Sequence, residues 1–361
     1  MGPAVNGVDP PAMGTGTRLK FSIGLACAAA VQSPPLPAQQ MRVQDHVEVH
    51  RVLVDARVVD RRGDPVTSLS PNDFRVFIDR RPTTVKSLEW VEGTEPFAEG
   101  LTPEQAAESG AQTAPPGRLV VFFFQSDFAP ARLTGLMHMK ARAIRFLATL
   151  QPSDRVAVLS FDSHLELRQD FTADRERLTA AIHRSIRFGG EDNVPPSPFP
   201  SLVPFFDRDA AKRAASPETG LLVVARALEK LPGSKSLVFF GWGLGHLSGD
   251  STMRTVTMGR DYAPARAALV RGRVSVFAID VTDADFHDLE VGLRQVAEDT
   301  GGFYAKTNLF PGQAMTRVEG ALAGYYVLEV EALRGPHGYH TISVEVVGTN
   351  WTVLAKPGYE D

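Results

Sequence analysis

Apolar and polar positions along this chain follow two different rhythms. From Val47 they alternate: VEVHRVLVDARVVD has the period of a half-buried strand, and RVFIDRR and TTVKSLEWV follow after turns at Arg61–Pro65 and Leu69–Phe74. From Arg118 the rhythm changes. Leu119–Phe124 is a continuous apolar run that stops abruptly at Gln125, Ser126 and Asp127. Such a run, followed by a helical pattern, predicts a central strand of a parallel sheet. A helix is predicted over Ala131–Leu150, with Leu133, Leu136, Met137, Ile144 and Leu147 on its apolar face. RVAVLSF predicts the second strand, and LELRQDF a short antiparallel edge strand. Asp174 caps a predicted helix over Arg175–Ile186. Further helices are predicted at Leu221–Leu231, Ala263–Arg271, Leu289–Thr300 and Gln313–Ala323, and further strands at SKSLVFFGWG, SVFAIDV and FYAKT. The tail returns to β texture in YYVLEVEAL, YHTISVEVV and WTVLAKPGY.

Strands alternating with helices imply a parallel sheet with right-handed crossovers. The β segments at the two ends are too small to be stable as isolated hairpins. Residues 47–92 and 325–359 are therefore expected to pack together as one β-sandwich-like module, with the α/β domain, 118–324, inserted between them. Residues 93–117 are rich in Gly, Pro, Ala, Glu and Thr and read as a linker. Residues 189–217 form a long proline-rich insertion that carries Phe199, Phe205 and Phe206. A loop of this length inside a compact domain is usually functional or disordered.

Composition narrows the classes. The chain has 361 residues and a formal net charge of -4, which gives no basic footprint for nucleic acid. Its one cysteine, Cys27, excludes an intrachain disulfide and a thiolate zinc cluster. Cys27 lies in TRLKFSIGLACAAAVQSPPLPAQQ, where basic residues precede a short apolar run and then small residues. This is the layout of a secretory signal peptide, so residues 1–40 are expected to be signal peptide and linker, and the mature chain extracytoplasmic, in the periplasm, envelope or medium. The polar stretch Met1–Gly16 leaves the start at Met1 or at Met13. Leu25-Ala26-Cys27 is similar to the end of a bacterial lipobox, which makes a lipid anchor at Cys27 an alternative to plain cleavage, although Gly24 stands where an aliphatic residue is usual. Beyond residue 40 no segment reaches the length of a membrane span.

Several motifs together resemble one family. VLVDARVVDRRGDPVTSLSPNDFRVFIDRRP resembles the opening of a group of von Willebrand factor A (VWFA)-related proteins abundant in acidobacteria. LQPSDRVAVLSFDSHLELRQDFTADRERLTAAI, GSKSLVFFGWG, LRQVAEDTGGFYAKTN and the C-terminal YYVLEVE, YHTISVEV and LAKPGY resemble its later segments in the same order. The resemblance spans roughly residues 47–359. It implies an α/β, Rossmann-like A domain, secretion, and binding of protein partners through a divalent cation. The family's cation site combines D-x-S-x-S after the first strand, a Thr after the second helix, and an Asp after the fourth strand. A hard cation such as Mg²⁺ takes these oxygen ligands and leaves a position open for a partner's carboxylate.

This chain departs from that set at nearly every ligand. Gln125 replaces the first Asp, Asp127 the first Ser and Ala129 the second; Glu191-Asp192 follows Gly189-Gly190 in place of Thr; Trp242 stands where the last Asp belongs. The expectation is a degenerate site with no cofactor. Gln125, Ser126, Asp127, Glu191 and Asp192 remain as a reorganised set for Mg²⁺ or Ca²⁺, but the favoured reading is that Gln125–Asp127 cap the following helix or solvate a loop. The aromatics Phe128, Trp242, Phe199, Phe205 and Phe206 suggest a partner-binding rim; alternatively, the 189–217 insertion folds over Trp242 and buries it. Asp280, Asp283, Asp285 and Asp288 read as a solvated loop with a helix cap, since they lack the EF-hand spacing. Among His138, His164, His183, His246, His287, His337 and His340 there is no H-E-x-x-H or i,i+4 pair, G-x-S-x-G is absent, and the Gly241, Gly243 and Gly245 run is no dinucleotide fingerprint. The sequence thus points to a non-catalytic protein-binding or scaffolding module with an unknown protein partner. Cation-dependent adhesion is the alternative, and an enzyme the remote one.

Overall fold

The alternating N-terminal residues form β1 (Val49–Val59), a short 3₁₀ turn at Pro71–Asp73, β2 (Phe74–Ile78), β3 (Arg81–Thr83) and β4 (Val85–Val91). The protein is seen here as a computed structural model that describes residues 49–92, 117–126, 129–186, 193–198, 200–249, 254–308, 311–333, 337–348 and 350–360. The expected signal peptide, Cys27 and residues 93–116 of the expected linker lie outside the described residues.

The α/β part follows with β5 (Leu119–Gln125), α1 (Pro130–Phe146), β6 (Arg155–Phe161), β7 (Leu165–Thr172) and α2 (Arg175–Arg184). Next come α3 (Arg208–Lys212), α4 (Pro217–Glu229), β8 (Lys235–Gly241), a hairpin of β9 (His246–Gly249) and β10 (Arg254–Thr257), α5 (Tyr262–Arg271) and β11 (Val274–Asp280). The part ends with α6 (Glu290–Asp299), β12 (Tyr304–Lys306) and α7 (Pro311–Leu322). The sheet order is β12-β11-β8-β5-β6-β7. Every neighbouring pair is parallel except β6–β7. Asp174 caps α2, its carboxylate accepting from the N–H groups of Glu176 (3.0 Å) and Arg177 (3.1 Å). The β9–β10 hairpin was not anticipated, because four-residue strands carry too little pattern to register.

Every residue of β5 and β8 is buried, because helices cover both sheet faces. One core gathers side chains of α4, α5, α6 and the insertion around Val121, Phe123 and Phe239. The other gathers α1, α2 and α7 around Phe122, Phe124 and Phe240. Phe123 stacks on Phe239 with ring centroids 4.8 Å apart, and Phe124 on Phe240 at 4.7 Å, one pair per face.

The chain then returns to β structure: β13 (Tyr325–Leu333), β14 (Tyr339–Val346), β15 (Thr352–Ala355) and β16 (Gly358–Glu360). Two four-stranded sheets result, ordered β15-β1-β13-β4 and β16-β14-β2-β3. Each mixes strands from both ends of the sequence, so neither end can form its sheet alone. Val54, Ala56 and Val58 of the first sheet meet Phe74, Val76 and Ile78 of the second in a shared core. Tyr326 spans that core. Its ring packs edge-on against Phe74 and Trp90, and its hydroxyl donates to Val66 O (2.8 Å) and accepts from Leu69 N–H (3.0 Å).

The sandwich joins the amino-terminal end of the parallel sheet through charged groups. Arg273 donates two hydrogen bonds to Asp55 (2.6 and 3.1 Å), Arg57 donates to Ser275 Oγ (2.9 Å), and Lys356 Nζ donates to Val270 O (2.8 Å). On α7, Gly320 lies against the Gly63 carbonyl so closely that a Cβ would sit 1.8 Å from that oxygen.

The described part of the insertion is fastened by one buried carboxylate. Asp170 on β7 accepts from the N–H groups of Phe171 (2.8 Å), Ser197 (2.9 Å) and Leu202 (2.8 Å) and from the Ser201 hydroxyl (2.5 Å). Phe206 and Ala211 then join the core of the α4 face.

Burial alone would raise the Asp55 pKa, but Arg273, with Lys356 and Arg57 behind it, outweighs burial and holds it below the ordinary carboxylate value. A carboxylate depressed in this way stabilises the fold above its unfolded pKa and loses that contribution as the pH falls through its folded one. Asp55→Asn should therefore cost about 3 kcal/mol at neutral pH, by removing the carboxylate that takes two hydrogen bonds from the half-buried Arg273 guanidinium. In urea titrations the gap to wild type should close as the pH drops below about 4. Asp170→Ala should cost roughly 3 kcal/mol and open residues 193–206 to limited proteolysis, because three N–H groups lose their acceptor.

Candidate functional site

In an open α/β sheet the ligand edge lies beyond the carboxyl ends of the strands. Here β5, β8 and β11 end at Gln125, Gly241 and Asp280. Gln125 is 1% exposed. Its carboxamide oxygen accepts from the backbone N–H of Trp242 (2.9 Å) and of Gly243 (3.3 Å). Gln125 thus ties the end of β5 to the loop after β8 by hydrogen bonds. Two residues on, the Gly245 N–H donates to the buried Glu218 carboxylate on α4. Three N–H groups of this glycine-rich loop are therefore taken by the protein's own side chains and are not offered to a phosphate.

Ser126 also turns inward. Its N–H donates to Phe161 O (2.8 Å) and its hydroxyl to Ser185 O (2.7 Å), which joins β5 to β6 and to the end of α2. Trp242 is half-buried against the α1-face core, and the Arg132 guanidinium lies 3.8 Å over its ring. That stacking places a fixed positive charge at the strand ends. The Gln125 Nε2 and Trp242 Nε1 donors are buried with no hydrogen-bond partner among the described residues. Asp127, Phe128, Glu191, Asp192 and Phe199 lie outside the described residues.

The described members of the aromatic rim, Phe205, Phe206 and Trp242, do not share one surface. Phe206 is buried in the α4-face core, Phe205 is 42% exposed on the adjoining 3₁₀ turn, and Trp242 packs on the opposite face of the sheet. The sheet itself separates them. The apolar groups that do face solvent at this edge are Leu247 on β9 (43%), Phe286 after β11 (64%) and Val291 on α6 (47%). Pattern gave no reason to single these out, because an isolated apolar residue in a polar loop is common.

The acidic run after β11 also needs correction. Asp283 and Asp285 are exposed, but Asp280 is 1% exposed and stands at the centre of a network. Its Oδ1 accepts from Thr282 N–H (2.9 Å); its Oδ2 accepts from the Tyr304 hydroxyl (2.7 Å) and lies 2.8 Å from His287 Nε2. Burial, then the Asp280 charge, push the Tyr304 pKa upward, so the phenol stays protonated and donates. Glu290, also buried, pairs with Lys306 and lies 3.6 Å from Arg294. One ligand atom each from Asp280, His287 and Glu290 falls within 4.8 Å of the others. A cation there would have to displace the Lys306 ammonium and compete with the Thr282 N–H and the Tyr304 hydroxyl, which both donate to Asp280. The cluster is internally neutralised, and its chemistry is that of a closed hydrogen-bond network. The spacing from Asp280 to His287 matches no motif; only the fold of the intervening loop makes them neighbours.

No protein-family model matches the chain, and no curated protein resembles it in sequence. Solved structures do resemble it. A von Willebrand factor type A protein from Catenulispora acidiphila is 11% identical, with 87% of this chain and 74% of that chain covered and a TM-score of 0.39. The BatB protein from Bacteroides thetaiotaomicron is 12% identical, with 57% and 98% covered and a TM-score of 0.36. The mussel-byssus proximal thread matrix protein 1, with a zinc-occupied MIDAS motif, is 13% identical, with 56% and 47% covered and a TM-score of 0.37. At these values the likenesses bear on neither cation nor partner. The von Willebrand A-like α/β fold is carried by the strand order, the single antiparallel edge strand and the helices on both faces.

Gln125→Leu should keep the shape but remove the acceptor that holds the β8 loop. The expected loss is about 2 kcal/mol, read as a lower urea midpoint with an unchanged slope. Gln125→Glu, which retains an acceptor, should lose less than Leu if the hydrogen bonds matter more than the added charge.

Proposed function

We propose that this chain is a non-catalytic protein-binding or scaffolding module, extracytoplasmic after removal of its signal peptide, whose A-domain cation site has been replaced by hydrogen bonds. The observation that carries this is the Gln125 carboxamide linking β5 to Trp242 and Gly243. A divalent ion at this edge would need oxygen ligands from both strand ends. Gln125 has instead committed its one oxygen to two N–H groups, tryptophan offers no oxygen ligand, and Arg132 adds positive charge close by. The exposed Leu247, Phe286 and Val291 supply apolar surface at the same edge, the kind of area a protein partner covers. Among the described residues no helix is long and apolar enough to cross a membrane, which agrees with attachment, if any, through a partner or an N-terminal anchor.

Isothermal titration of the chain with Mg²⁺, Mn²⁺ and Ca²⁺ should give no heat of specific binding up to millimolar ion, and EDTA should leave the unfolding temperature unchanged. Micromolar binding abolished by Asp127→Ala would overturn the proposal in favour of cation-dependent adhesion.

A further inference from the structure

At the end of the sheet opposite the ligand edge, the sandwich and the sheet leave a small, partly open cavity lined in part by Arg57, Arg118, Ser234, Ser236 and Tyr325. The space open to the centre of a water-sized sphere is ≈ 20 Å³. That is more than the roughly 10–15 Å³ that one water needs, so the space holds one water-sized occupant and, being partly open, can widen slightly for a single small ion.

The charges around it are unevenly matched. Arg118 is paired with Asp154 (3.0 and 2.5 Å), and Asp55 is held by Arg273. Arg57 is 4% exposed and forms no ion pair among the described residues, the negative charge that acts on it being the Asp55 carboxylate that Arg273 already holds. Of its five N–H donors, one reaches the Ser275 hydroxyl (2.9 Å), and Nε is buried with no hydrogen-bond partner. The guanidinium otherwise faces the rings of Phe277 (5.7 Å) and Tyr325 (5.3 Å). Burial lowers the Arg57 pKa and raises that of Tyr325 to about 12, so a cation and a neutral phenol border the space. Guanidinium, serine hydroxyls and a phenol are hydrogen-bond donors, and a buried cation is stable only when it is compensated.

We propose that this cavity is a structural anion site, and that it takes one small monovalent inorganic anion of chloride size as the counter-ion of Arg57. Bound there, the anion is held between β1 of the sandwich and the amino-terminal ends of β5 and β8, and it stabilises their docking. Arg57 supplies the charge; Ser236 and Tyr325 supply neutral donors.

The test uses the full chain with chloride and bromide as probes. At constant ionic strength, replacing gluconate by chloride should raise the unfolding temperature by about 2 °C for each tenfold increase above the dissociation constant. Arg57→Met should abolish that rise. Should this variant fail to fold, Ser236→Val keeps Arg57 and should shift the midpoint of the rise to higher chloride. Crystals of the wild type soaked in bromide should show an anomalous peak in the cavity. Equal unfolding temperatures in chloride and gluconate would overturn the proposal, leaving water as the occupant, as would a chloride response that survives in Arg57→Met or a bromide peak only on the outer surface.

Discussion

The pairing of β5 with β8 is the joint on which the rest of the molecule rests. Phe123 stacks on Phe239 on one face of the sheet and Phe124 on Phe240 on the other, in matching register. Because both faces are apolar, both must be covered. The helices before and after β8 therefore divide between two cores, and neither core can be lost without exposing the same strands. The pairing also sets Gln125 beside the loop after β8, and so decides what the ligand edge can be.

At that edge the strand ends are joined by hydrogen bonds. Gln125 accepts from two backbone N–H groups of the loop after β8, and Glu218 extends the lock to Gly245. Similar economy recurs along the chain. Asp170 gathers three N–H groups and a hydroxyl to pin the insertion, and Asp280 gathers Thr282, Tyr304 and His287 at the end of β11. In each case a buried acceptor is tolerated because its hydrogen-bonding capacity is filled.

Much of the fold was legible from pattern. Continuous apolar runs marked the buried strands, the alternation of LELRQDF marked an antiparallel edge, and strand texture at both ends suggested a shared sandwich. The site was less legible. Gln125 and Trp242 could be located as departures from an ion-binding set, but not as hydrogen-bond partners, because that relation joins residues 117 positions apart. Phe206 and Trp242 looked like one rim in sequence and lie on opposite sides of a sheet. Asp280 looked solvated among its acidic neighbours, yet β12 brings Tyr304 and Lys306 over it.

By itself the sequence determined most of the strands and helices, though not the β9–β10 hairpin or α3, because period and apolar run length are local properties of the chain and short elements carry little of either. It also determined that the family's ligand types are missing, since residue identity alone excludes oxygen ligation by Trp242 and Ala129. The tertiary structure alone decided how the strand ends are joined: which N–H meets which carboxamide, which carboxylate is buried, and which buried arginine has no ion pair among the described residues. These depend on distances between residues far apart in the chain. Arg57 and Asp55, two positions apart on β1, show this most plainly: one is matched by Arg273 and the other faces a cavity.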